Sequence, residues 1–162
     1  MHGEQENMSK LLNISDMKQK TNDFYLKYDI KINKGKMNLA IQSLTMAQYA
    51  KEYNDIHNKS IIYDNGGLAT VGDAICEAYV MLKKFQYKAN EKEMTEEKKI
   101  LKNDYLNSIG KKLLKDYLFA SNNDLNDENK KSYATAFEAV VGFVACIDMN
   151  KAFEFLDCVF GL

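Results

Sequence analysis

The sequence predicts an all-α domain of about six or seven helices. Apolar residues recur every three or four positions over several long stretches. No segment alternates convincingly at period two, as a half-buried strand would. Polar connections rich in Asn, Asp and Gly separate the periodic stretches. A chain of 162 residues suits one domain, burying roughly two thirds of the surface its unfolded form exposes.

Residues 1–20 are polar with scattered Leu and Met and read as a lead-in, mobile or forming a short helix; residues 21–162 read as the domain. Met37, Ala40, Ile41, Leu44 and Ala47 fall at helical spacing and predict one helix from Met37 to about Tyr53. The polar stretch Asn54–Asn65, ended by Gly66-Gly67, reads as a loop in which Ile61-Ile62-Tyr63 can tie to the core. Leu68, Val71, Ile75, Tyr79 and Leu82 predict a largely buried helix to about Phe85. The charged segment 88–98 opens the next helix at an undefined point, since Thr95-Glu96-Glu97-Lys98 lacks the glutamate a capping box needs. Ile100, Leu101, Tyr105, Leu106, Ile109, Leu113 and Leu114 continue that helix to about Leu118; Gly110 costs it roughly 1 kcal/mol relative to Ala unless packing requires the glycine. After an Asn/Asp-rich connection from Ser121 to Lys131, helices are expected over Ser132–Ile147 and Asn150–Phe160.

Charge is nearly balanced, 22 basic against 23 acidic residues, so no overall field draws the chain to nucleic acid or an anionic membrane. Every basic residue is a lysine, which leaves point charges and no guanidinium forks for contacting phosphate. Cys76, Cys146 and Cys158 show neither CxxC nor Cys/His spacing; they suggest no disulfide framework or zinc site and fit small buried side chains in a reducing, cytoplasmic setting. No stretch reads as a signal peptide or approaches bilayer-spanning length, so no membrane role is expected.

Two acids stand out. Asp73 lies directly after Gly72 within an apolar helical stretch, and about sixty residues later Glu138 lies in a second such stretch that also holds Gly142. Each glycine permits close helix approach and sets its acid against a crowded interior or its edge. A carboxylate there has to be hydrogen-bonded, paired with lysine or neutralised by a metal. Oxygen-only ligands suit Mg²⁺, which keeps several waters, and Glu77, one turn past Asp73, can add a further oxygen.

The segments Gly72-Asp73-Ala74, Glu77-Ala78-Tyr79-Val80 and Tyr133-Ala134-Thr135-Ala136-Phe137-Glu138-Ala139 together resemble the ribonuclease III catalytic domain. They are most similar to its mini-ribonuclease III branch, which lacks an appended double-stranded-RNA-binding domain. The resemblance spans about residues 26–160 and includes Ser43-Leu44-Thr45-Met46-Ala47-Gln48-Tyr49, with Met46 where full-length relatives carry histidine. It implies an endoribonuclease for double-stranded or structured RNA, active in RNA processing. Asp73 and Glu138 would be its catalytic and metal-binding residues, with Mg²⁺, or Mn²⁺ in its place, as cofactor. Water would attack the phosphodiester in line, leaving 5′-phosphate products. It also implies a homodimer whose signature helices pack together and line a valley for A-form RNA, gripped by phosphate and 2′-hydroxyl contacts.

The chain departs from the family in three places. Ala69 and Thr135 stand where ordinary ribonuclease III carries two further acids, and Ser121–Asn129 is acidic where mini enzymes carry a basic, glycine-containing segment. These departures motivate an alternative, a non-catalytic ribonuclease III-like protein that binds or scaffolds RNA; a helical module that binds only proteins is a third. Phosphate contacts are expected from Lys83, Lys84, Lys88, Lys111, Lys112, Lys115 and Lys130-Lys131, while the numerous Tyr and Phe residues are expected in the core.

Overall fold

The computed structural model describes residues 11–87, 90–92, 103–125 and 131–161. Eight α-helices are defined among them: α1 (Ile14–Leu26), α2 (Met37–Ser43), α3 (Ala47–His57), α4 (Gly66–Gln86), α5 (Asn103–Leu114), α6 (Asn122–Leu125), α7 (Ser132–Ile147) and α8 (Met149–Phe160). A 3-10 turn, Lys34–Lys36, precedes α2. No strand occurs among the described residues; Thr45 and Phe119 form an isolated parallel bridge.

α7 is the central helix because it is apolar nearly all round. Ala134, Ala136, Phe137 and every residue from Ala139 to Val144 are buried, which requires neighbours on several sides. α4, α5, α8 and α2 supply them. Many aromatics behave as core residues, Phe24, Tyr25, Tyr79, Phe119, Phe137 and Phe143 being among the largest fully buried side chains, whereas Tyr63, Phe85, Tyr87 and Tyr105 are exposed and depart from the expected core placement.

Several local features differ from the sequence expectation, among them α5 ending at Leu114 rather than about Leu118, and Cys146, Cys158, Val71 and Leu82 being exposed rather than buried. The helix expected over Met37–Tyr53 is broken at Leu44–Met46, because tertiary partners take its backbone groups. Phe119 N–H donates to the Leu44 carbonyl at 2.8 Å, Met46 N–H to the Phe119 carbonyl at 2.9 Å, and Asn65 N–H to the Thr45 carbonyl at 2.9 Å. α1 runs across residue 20, since Met17 and Thr21 are buried along with Phe24 and Tyr25. The short α6 adds one helix within the 121–131 connection. The expected segment 93–102, including Thr95–Lys98, lies outside the described residues.

Other junctions follow from named side chains. Asn54 fastens the loop after α3, its Oδ1 accepting from Ile61 and Ile62 N–H at 2.9 and 3.0 Å. Asn107 on α5 caps α7, accepting from Tyr133 and Ala134 N–H at 3.0 and 3.1 Å. A Cβ on Gly110 would strike the Tyr133 carbonyl, so that glycine is required by the α5–α7 contact. Asp148 caps α8, and Gly161 ends it at φ 65°.

Candidate active site

The site is built where α4 and α7 cross. Gly72 faces Glu138 and Gly142 faces Leu68, so the two helices run antiparallel. A Cβ on Gly72 would overlap the Glu138 carbonyl, and one on Gly142 would overlap the Leu68 carbonyl. Glycine at these positions therefore sets the interhelical distance, and that distance brings the acids together.

Asp73 follows Gly72 and is exposed, whereas Glu138 is half-buried. The acids thus sit at the edge of the core, and Asp73 is not the interior carboxylate its apolar neighbours suggest. The Glu138 carboxyl, when protonated, donates a hydrogen bond to Asp73. Burial, then that hydrogen bond, then the Asp73 charge push Glu138 up to about 8. The neighbouring Asp73 carboxylate disfavours ionisation of Glu138 unless a cation compensates. The donor set fits a divalent, oxygen-seeking metal that completes its shell with water.

Cys76, one turn past Asp73, is buried, and burial followed by the charges of Glu138 and Asp73 pushes its thiol up to about 12. It is an unreactive wall of the site. Glu77 is exposed and has an interaction of its own. No group of three or more His, Cys, Asp or Glu able to hold a metal occurs among the described residues.

Ala69 is buried and Thr135 is half-buried. Thr135 opens onto a cleft of about 450 Å³ whose walls include Asp64, Asn65, Asn123, Lys131 and Ser132. Met46 also borders this cleft, and its Sδ accepts from Asn65 Nδ2 at 3.3 Å.

The acidic connection has a structural use that the sequence does not disclose. Asp124 accepts from the N–H groups of Gln48 and Tyr49 at 2.9 and 3.0 Å, capping α3, and from Ser121 N–H at 2.9 Å. Its own carbonyl accepts from Ser132 Oγ at 2.6 Å, at the start of α7. This carboxylate is consumed by backbone donors at a helix N-terminus. Residues 126–130 lie outside the described residues.

The expected lysines divide. Lys83 is 2.9 Å from Asp157, which also accepts from the Tyr79 hydroxyl at 2.6 Å, so it ties α4 to α8. Lys84 is engaged as well. Lys111, Lys112, Lys115 and Lys131 are exposed, and Lys131 borders the cleft. Lys88 and Lys130 lie outside the described residues. Sequence reading missed Asn107 and Asp124; the only signal was an Asn or Asp near a helix start, and their partners are distant in the chain.

No helix among the described residues is long and apolar enough to cross a membrane. No curated protein matches the chain. The ribonuclease III domain family matches residues 67–148, a span that begins at the start of α4, ends after α7 and contains both acids. With the paired carboxylates at that helix crossing and an all-α fold around them, the chain belongs to the ribonuclease III family.

Proposed function

We propose that the protein is a metal-dependent endoribonuclease of the mini-ribonuclease III type, hydrolysing phosphodiesters of double-stranded or structured RNA to leave 5′ phosphates. One observation carries this reading: Asp73 and Glu138 meet across α4 and α7, and Glu138 is pushed up to about 8. A pair that retains a proton in the absence of metal is prepared to exchange it for a cation. Asp73 and Glu138 would hold Mg²⁺, with Mn²⁺ as a substitute; when bound, the ion supplies Lewis acidity toward the phosphodiester and the attacking water. The chain's own contribution is positional. Gly72 and Gly142 fix the separation of the two helices, and Asn107 and Asp124 fasten the start of α7.

The partner reading is a homodimer through α4. Gly67, Val71, Ala74, Ala78, Leu82 and Phe85 lie three or four residues apart and are all exposed, Val71 at 43%, Leu82 at 49% and Phe85 at 71%. An apolar stripe with small residues within it suits close packing against a second α4. The location consistent with this function is the cytoplasm.

The test is incubation with labelled duplex RNA in Mg²⁺ and in chelator, beside Asp73→Asn. Cleavage that needs both metal and Asp73 is the expected result. One rival is a non-catalytic duplex-RNA binder, motivated by Ala69 and Thr135, which stand where ordinary ribonuclease III carries two further acids. Retention of intact RNA irrespective of Mg²⁺ selects that reading.

A further inference from the structure

The lysines of the first half of the chain are distributed unevenly. Between Asp29 and Glu52 there is no acidic residue, while Lys31, Lys34, Lys36 and Lys51 fall in that interval. In a chain whose charges nearly cancel, this stretch is locally cationic. Lys51 is occupied by Asp55 at 3.3 Å. Lys31, Lys34 and Lys36 are exposed, and none has an acidic partner among the described residues.

The backbone carrying these three is fixed. Ile30 is buried and Ile32 packs partly against the core, which holds the segment down and leaves Lys31 outward. Asn33 then closes the 3-10 turn, its Oδ1 accepting from Lys36 N–H at 3.1 Å. Preset backbone lowers the ordering cost of binding. α2 leads from this turn to Leu44–Met46, whose end borders the cleft beside Thr135. Its seven residues span roughly 10 Å. The turn therefore lies about one short helix from this cleft and is separate from it.

We propose that Lys31, Lys34 and Lys36 form an ancillary surface that holds the phosphate backbone of duplex RNA outside the catalytic pair. This rests on the reading of the protein as acting on duplex RNA. Three ammonium groups with no acidic partner among the described residues, on and just before a short hydrogen-bonded turn, match a polyanion with regularly repeated charge. Lysine point charges contact phosphate without reading sequence. The surface lengthens the RNA path past the site, so it contributes to binding of long duplexes more than of short ones.

The experiment uses the full chain and the triple variant Lys31→Ala/Lys34→Ala/Lys36→Ala. Binding of fluorescent RNA duplexes of two lengths is measured in chelator over a salt series. A Lys51→Ala/Lys151→Ala variant serves as control, because both lysines already face acids, Asp55 at 3.3 Å and Glu154 at 4.0 Å. The magnitude of the slope of log K against log salt should fall by roughly 1 for each contacting lysine on the long duplex, with a smaller change on the short one. The control keeps the parent slope. In Mg²⁺ the triple variant should raise KM and leave kcat unchanged. If the parent binds and the triple variant keeps its slope on both duplexes, the proposal is overturned and the function reading stands. If the parent binds no duplex at low salt, both are overturned.

Discussion

The backbone carbonyl of Glu138 occupies the volume that a side chain on Gly72 would need. The residue that supplies one acid of the site thereby also sets how closely α4 and α7 approach. Because Asp73 follows Gly72 directly, separation of the helices and separation of the carboxylates are one structural variable.

Gly72→Ala should therefore damage stability and catalysis together. The added methyl meets backbone, which cannot rotate away, so destabilisation of at least about 1–3 kcal/mol is expected from overpacking. Urea unfolding measures the loss, and Mg²⁺-dependent cleavage under folding conditions should be abolished. A fully active, equally stable variant contradicts this account of the crossing.

Glu138 predicts an unusual pH dependence for the metal-free protein. Its folded-state value, about 8, is raised from the ordinary 4.5. The folded state thus binds the proton more tightly than the unfolded state. The stabilisation from this group is fully present below about 4.5 and is lost as pH rises through about 8. In chelator the melting temperature should fall across that window, and Glu138→Gln should flatten the fall while abolishing cleavage. Mg²⁺ should restore the parent at high pH and leave the Gln variant unmoved. A parent curve that is flat and superimposes on that of Glu138→Gln would falsify the shared-proton pair.

Asp124 should prove structural. Asp124→Ala removes the cap of α3 and is expected to cost about 0.5–2 kcal/mol. Asp124→Asn, which keeps one acceptor oxygen, should cost less. Thermal melts of the two variants rank them; a stabilising Ala substitution would show that the carboxylate is not held as a cap.

Charge placed in the α4 stripe should separate protomers. Ala78 is exposed between Ala74 and Leu82, so Ala78→Glu is expected to yield a folded monomer by sedimentation, with the parent sedimenting as a dimer. A parent that is already monomeric removes α4 as the interface.

Much of this molecule is legible along the chain. The expected Ser132–Ile147 helix coincides with α7, and the last helix is displaced by a single residue at its start, because their apolar spacing and the Asp148 break are local signals. Gly72 beside Asp73 and Gly142 one turn past Glu138 also signal close helix approach along the chain. The break at Leu44–Met46 was not legible. Its apolar spacing continues straight through, and only Phe119 and Asn65, remote in sequence, divert the backbone hydrogen bonds. Lys83 likewise read as a free cation until α8 placed Asp157 against it.

By itself the sequence determined the all-α class and the helices around the two motifs, since periodicity is carried by neighbours in the chain, and it singled out Asp73 and Glu138 as acids in apolar surroundings, which the ribonuclease III resemblance placed in one site. Tertiary structure alone decided that Asp73 is exposed and Glu138 half-buried and pushed up to about 8, that Asp124 caps α3, and that Lys83 faces Asp157. These properties depend on distances between segments that folding brings together, and electrostatics and hydrogen bonding respond to those distances and to burial, neither of which is a function of position along the chain.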